Sequence, residues 1–555
     1  MFCSALRNGN LLLNTDTNTN AFQGKDLRSE TMANKSLFAS QRGRTSGKAD
    51  ARNLADGKAY NYEDRHKLAQ LAATGSIGDT FYQSADIELK AVLETAAAVP
   101  DAFLAKTAVY ARQKGKMKDL PALLLAVLAS RDPVLLAKAF PFVVTDGRML
   151  RNFVQILRSG QTGRKSLGTR PKALVRGWLN AATDYQLLQA NIGNDPSLAD
   201  VIKMVHPKPR DAERAALFAW LIGKPCDVEK LPAQVRDYVA FLENPNGREV
   251  PDVPFQMLTH LQLAREDWTM LAERGSWNMV RMNLNTFLRH GVFEGKRFEK
   301  APAVRMVADI LKDPKRIRKA RAFPYQLLTG FQALSEDMPS EIREAMHEAM
   351  EISVANVPAF KGQVVVCPDV SGSMVSPVTG YRKGATTVTR CVDVAALVSA
   401  AVLRRNRGAT VLPFEVNVRP VKLVARDTIL TNARKLTEQW GGGTNCAAPL
   451  AWLNEKRRAP DLVILVSDNQ SWAGVQQGRG TGVMREWETL KRRNPDARLV
   501  CIDIAPYGTS QARSRPDILN IGGFSDAVFD QIAAFAKGTM NVDQWVGEIE
   551  AVDLT

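Results

Sequence analysis

The 555-residue chain carries only five histidines and six cysteines, and neither type is clustered. His66, His206, His260, His290 and His347 show no spacing of a catalytic or metal-binding pair. Cys3, Cys226, Cys367, Cys391, Cys446 and Cys501 include no CxxC pair and no histidine at zinc spacing, which argues against a zinc finger or a disulfide framework. Scattered single thiols point to a reducing cytoplasm. Long apolar runs are missing too: the longest, residues 121–129, is too short to cross a bilayer. Residues 1–31 have no basic segment leading into a cleavage site, so they do not read as a signal peptide. They are expected to be an unstructured or non-native extension, with Met32 as the true start. No RNP sequence and no GxGxxG loop occurs.

What the chain has in excess is positive charge. It holds 74 Lys+Arg against 58 Asp+Glu, a net of +16 with pI near 9.6. Such an excess concerns partners, either nucleic acid or an anionic surface. It is uneven: from residue 360 onward the count is 24 against 19, which leaves +11 for the part before. A hydrophobic content of 45% with 24% charged residues allows a folded, multi-domain protein rather than a disordered one.

Two periodicities divide the chain. Residues 32–60, rich in Ser, Gly, Lys and Arg, read as an extended arm that orders against the body or a ligand. Helical spacing then predicts helices at 66–71, 87–98, 102–113, 122–130, 134–139, 150–159, 172–179, 198–204, 210–221, 234–242, 254–264, 268–274, 277–290, 302–312 and 340–355. Many short helices with short connections imply a HEAT-like α-helical repeat. Basic clusters fall at the expected connections. Arg164, Lys165, Arg170 and Lys172 lie in GRKSLGTRPK, His206, Lys208 and Arg210 in VHPKPR, and Lys315, Arg316, Arg318, Lys319 and Arg321 in KRIRKAR. Helix C-termini attract cations for dipole reasons alone. Three clusters in a region of net +11 point further, to a phosphate-binding surface.

Past residue 360 the period changes. Strands are predicted at 364–366, 410–414, 462–466 and 499–504, alternating with helical stretches at 388–402, 429–440 and 449–456. That alternation implies an α/β doubly wound, Rossmann-like domain with its site at the strand carboxyl ends. Asp369, Ser371 and Ser373 follow the first strand, Thr444 follows three glycines, and Asp468 ends another strand. Two carboxylates and three hydroxyls, without His or Cys, make a hard oxygen shell for Mg2+, with Mn2+ as the alternative. The glycines let the backbone approach closely enough for Thr444 to point inward.

The order Asp369-Val370-Ser371-Gly372-Ser373, Thr444, Asp468 resembles the metal-ion-dependent adhesion site of von Willebrand factor A domains. With VSDNQSWAG (466–474), GGTNC (442–446), GGFSDAVFDQIAAF (522–535), and the upstream GRKSLGTRPK, SLADVIKMVHPKP, RMNLNTFLRHGVF and PYQLL, the chain from Met32 onward resembles bacterial members of the Ro autoantigen (TROVE-domain) family. The resemblance implies a ring of helical repeats over 32–359 and an A domain over 360–555. It implies Y-type noncoding RNA on the outer surface and single-stranded ends of misfolded RNA in the central hole. His206 and Lys208 then face RNA, and an exoribonuclease is the implied partner in RNA surveillance or degradation. The chain is expected to be a monomer and not an enzyme. Two departures stand out. Residues 186–194 contain no Lys or Arg where a Y RNA surface is expected to be basic, and Asn445 stands where the family commonly has Asp. The competing classes are a metal-dependent protein-interaction scaffold with incidental charge and a metal-dependent nuclease.

Overall fold

The computed structural model describes residues 47–74, 85–244, 249–295, 301–378, 389–474, 478–505, 507–523, 527–539 and 544–555. The expectations for residues 1–31, for Met32 as the start and for the first part of the arm lie outside these.

Short helices follow one another from Asp64–Thr74 to Ser340–Ser353. Many pack on helices close to them in the chain: Asp101–Gln113, for example, lies against Asp119–Arg131 and Pro133–Val143. The sequence starts and orients them locally. Asp132 accepts from Val134 and Leu135 N–H ahead of Pro133, and Thr183 and Ser197 open their helices with capping boxes. Gly147–Ser159 buries Met149, Leu150, Phe153, Val154 and Leu157, the stripe that helical periodicity predicts.

Three predicted segments differ. Residues 254–264 form only the four-residue helix Phe255–Leu258. Residues 277–290 form two helices, Trp277–Met282 and Leu284–Arg289, parted at Asn283. The Asn283 amide donates back to the Met279 carbonyl at 2.8 Å, a local bond that competes with the helical ladder. KRIRKAR, expected as a connection, is the helix Pro314–Ala320. Asp313 caps it by accepting from Lys315 and Arg316 N–H at 2.7 and 3.3 Å, and Pro314 occupies its first turn. Asp184–Ala190 and Pro324–Gln332 are helices that the periodicity did not mark.

The strands, in chain order, are β1 (Ala51–Arg52), β2 (Lys58–Asn61), β3 (Val364–Pro368), β4 (Thr410–Val411), β5 (Leu462–Ser467), β6 (Arg498–Asp503), β7 (Thr509–Ser510) and β8 (Ile518–Gly522). The main sheet runs β4-β3-β5-β6-β8 and is parallel throughout. Every residue of β3, β5 and β8 is buried, as expected of parallel strands covered on both faces. One face packs on Val392, Val398 and Val402 of Cys391–Arg405 together with Phe529 and Phe535. The other packs on Leu450, Leu453 and Trp487. The strand expected at 410–414 is two residues long, with Phe414 bridging to Asp369 beyond it.

Both ends of the helical array rest on this sheet domain. At the start, the Gln70 amide donates to the Asn520 carbonyl at 2.8 Å, and Arg65 pairs with Glu550 at 2.5 Å. At the far end Phe323 stacks on Phe529 with centroids 5.5 Å apart, and Glu351 accepts from Ile429 N–H at 2.7 Å. The chain therefore leaves the sheet domain and returns to it through a circuit of packed helices. The arm joins the same domain, because β2 pairs antiparallel with β7. Among the described residues no helix is long and apolar enough to cross a membrane.

Candidate metal centre and basic surface

The parallel sheet delivers its carboxylates at one edge. Asp369 directly follows β3, and its N–H donates to the Val466 carbonyl at 2.8 Å. Ser371 N–H donates back to Asp369 Oδ1 at 2.8 Å, closing a tight loop. Two backbone bonds, Gly441 N–H to Val370 O (2.8 Å) and Gly372 N–H to Gly442 O (3.1 Å), hold the glycine turn against that loop. Gly442 has φ 78°, and a Cβ there would stand 2.3 Å from Glu415 Oε2, so glycine is required. The turn aims Thr444 inward, and its hydroxyl donates to Ser371 Oγ at 2.9 Å. Ser371 and Ser373 hydroxyls are 3.4 Å apart, and Ser373 hydrogen-bonds the Asp468 carboxyl. The five predicted oxygen donors therefore form one network, and all are buried.

Sequence reasoning missed two members of the centre. Ser467, the last residue of β5, donates its hydroxyl to Asp369 Oδ2 at 2.6 Å. Asp503 ends β6 in register with Ser467, is buried, and has an Oδ1 with no hydrogen-bond partner. The available signal was its position at the end of an apolar strand, the same place that Asp468 follows on β5. Burial first, then the Asp468 charge, pushes Asp369 up to about 7. Burial also raises Asp468, and burial with Asp468 raises Asp503 well above the carboxylate range. No lysine, arginine or histidine is among the groups that set these shifts.

Three buried carboxyls without a basic partner, one with an unused oxygen, suit a hard divalent cation. Among the described residues no three His, Cys, Asp or Glu side chains are placed to hold a metal ion by themselves, so a cation here would need the hydroxyls as donors. Asn445 fits its place: Nδ2 donates to Val416 O at 3.0 Å, where an aspartate would face a carbonyl. Cys367, Cys391, Cys446 and Cys501 are buried close by. Burial raises each thiol, which keeps them protonated and unreactive, and none of the five described cysteines is in a disulfide.

Two of the three basic clusters lie along one helix, toward its opposite ends. His206 caps the helix Leu198–Val205 in the left-handed region, at φ 49°. Asn180 ties the following loop to the helix Thr169–Ala181: its Nδ2 donates to Lys208 O at 2.9 Å, and Arg210 Nη1 donates to Asn180 O at 3.0 Å. Arg170 and Lys172 sit in the first turn of that same helix. Lys165, Arg170, His206, Lys208 and Arg210 are exposed and Lys172 is half-buried. Arg164 instead braces the fold, donating to Ala129 O at 2.5 Å. The third cluster stands in another helix stack. Ile317 anchors Pro314–Ala320 in the hydrophobic cluster around Trp268 and Met346, while Lys315, Arg316, Arg318 and Lys319 are exposed.

Residues 363–536 match the family model described as the Ro60 vWA domain. The chain is 26% identical over 526 residues to the RNA-binding protein RO60 of Deinococcus radiodurans, covering 88% of this chain and 95% of that protein. RNA-binding protein RO60 of Caenorhabditis elegans aligns over 257 residues at 24% identity, 41% of this chain and 36% of the relative. The crystal structure of the Deinococcus radiodurans RO (RSR) protein superposes with a TM-score of 0.60 at 20% identity, covering 86% of this chain and all of that one. At that identity the likeness is one of fold.

Proposed function

We propose that this chain, a Ro-family protein whose A domain is of the Ro60 type, is the RNA-binding component of a small cytoplasmic ribonucleoprotein. In this reading the helical array holds a Y-type noncoding RNA and single-stranded ends of misfolded or structured RNA for surveillance or degradation. The protein works as a monomer and as a binder rather than an enzyme. Asp369, Ser371, Ser373, Thr444 and Asp468 hold Mg2+, or Mn2+ in its place. The ion supplies an open coordination position to an acidic side chain of a protein partner such as an exoribonuclease.

The observation that supports the RNA reading is a run of exposed cations along the helix Thr169–Ala181, with Arg170 in its first turn and Lys208 and Arg210 tied to its last turn by the Asn180 bonds. Fixed cations on neighbouring elements suit a phosphate backbone, and phosphate contacts supply most non-specific affinity. Replacing these three residues together with alanine should weaken single-stranded RNA binding at least tenfold in a filter assay, while an unchanged affinity would contradict the placement. Labelled RNA incubated with the pure protein and Mg2+ should stay intact; cleavage that disappears in Asp369→Ala would make the chain a nuclease.

A second reading, a metal-dependent interaction scaffold, is favoured by Trp440 and Trp472, which are 52% and 50% exposed beside the glycine turn. The Trp472 backbone N–H donates to Thr444 O at 3.1 Å, and its ring lies against Gly443, where a Cβ would stand 2.8 Å from it. A scaffold would bind no RNA at low salt.

A further inference from the structure

The three residues after Asp468 are unusually well held for a loop. Asn469, Gln470 and Ser471 are buried, and Asn469 has φ 64°. Much of what holds them comes from the opposite end of the chain. Asn53 Nδ2 donates to Ser471 O at 2.9 Å, and Leu54 N–H donates to Gln470 Oε1 at 2.8 Å. Gly57 lies so close that a Cβ would stand 1.9 Å from Ser471 O. Gln511, next to β7, donates its backbone N–H to Asn469 Oδ1 at 3.3 Å and its side-chain amide to Lys58 O at 3.2 Å.

Asn53 is itself the organiser of a turn. Its Oδ1 accepts from Gly57 N–H at 2.7 Å and Ala55 N–H at 3.2 Å, and its own N–H donates to Gly57 O at 2.9 Å. One side chain thus closes the β1–β2 turn with its oxygen and grips the metal loop with its nitrogen.

From these residues the centre is one step away. Gln470 N–H donates to Asp468 Oδ1 at 3.2 Å. The Ser471 hydroxyl accepts from Cys446 N–H at 3.0 Å and donates to Thr444 O at 3.4 Å. Gln470 and Ser471 therefore fix two of the five donors, and the arm fixes Gln470 and Ser471.

We propose that residues 47–61 are a positioning strap for the metal centre, with Asn53 and Gly57 setting the Asp468 and Thr444 donors for a divalent cation. The strap rests on the metal reading above and adds to it that the centre is incomplete without the N-terminal segment. Residues that orient metal ligands from the next layer out change metal affinity when lost, by about tenfold to a hundredfold.

The test is isothermal titration of the full 555-residue chain with Mn2+ after EDTA treatment and desalting. Wild type, Asn53→Ala, Gly57→Ala and Asp369→Ala are compared, with Arg52→Ala as an arm variant whose side chain, among the described residues, bonds Asp56. Circular dichroism and melting in EDTA are recorded alongside. Asn53→Ala and Gly57→Ala should each bind Mn2+ about tenfold more weakly while keeping wild-type secondary structure, and Arg52→Ala should match wild type. Wild-type affinity in folded Asn53→Ala and Gly57→Ala overturns the strap and leaves the metal reading intact. No heat of binding in wild type overturns both. If Gly57→Ala does not fold, Asn53→Ala decides alone.

Discussion

Stripped of divalent cations, the protein should lose stability as the pH rises from 5 to 8. Burial and the neighbouring Asp468 charge push the Asp369 carboxyl up to about 7 from its ordinary 3.8. Between those values the folded chain keeps a proton that the unfolded chain has released, so rising pH favours unfolding. The stabilisation is complete below about 4 and is lost as the pH passes about 7. From pH 5 to pH 8, two such values differ in their effect by about 3 kcal/mol. Asp468 and Asp503, also raised, act in the same direction. His290 and His347 oppose it, because burial lowers them and their protonation penalises the fold at acid pH. Comparison with Asp369→Asn cancels the histidines. Urea unfolding in EDTA, followed by tryptophan fluorescence, should show the wild-type advantage over Asp369→Asn shrinking by about 3 kcal/mol between pH 5 and pH 8. Adding Mg2+ at pH 8 should restore the wild type and not the variant. A difference that is flat or grows with pH would refute the buried carboxyl pair.

Other perturbations separate the parts of the molecule. Phe323→Ala removes the ring that joins the end of the helical array to Phe529, and should lower stability by about 3 kcal/mol, read as a reduced urea midpoint. Asp313→Ala removes the cap of the helix Pro314–Ala320 and should cost about 1 kcal/mol. Asp369→Ala should abolish Mn2+ binding in titration calorimetry while RNA affinity stays within about twofold, since separate elements carry the two sites; equal loss of both would mean a shared site.

How much of this was readable in advance depended on how local the determinants are. That Asp369, Ser371, Ser373 and Thr444 come together was legible because the first three follow a buried strand within five residues, and because only glycine fits at Gly442. The parallel sheet was legible from its unbroken apolar runs. Asp503 was not, because a single carboxylate after a strand looks like any other until the sheet register sets it beside Ser467. The helix Pro314–Ala320 hid behind its charge: with one buried apolar side chain, Ile317, it shows no stripe, and only the Asp313–Pro314 start marks it. Residues 254–264 failed the other way, having helix-compatible apolar content but only one turn of helix. The strap was out of reach of any local pattern, since Asn53 and Ser471 are 418 positions apart and meet through one side-chain bond.

The central claim is that cations on the helical array hold RNA through its phosphates, and a salt titration of single-stranded RNA binding tests it most directly. If Lys165, Arg170, Lys172, Lys208 and Arg210 each meet a phosphate, the slope of log affinity against log salt should be about −3.5. Affinity should then fall roughly a hundredfold between about 50 and 200 mM salt. A flat dependence, or no binding at the lower salt, would contradict the account.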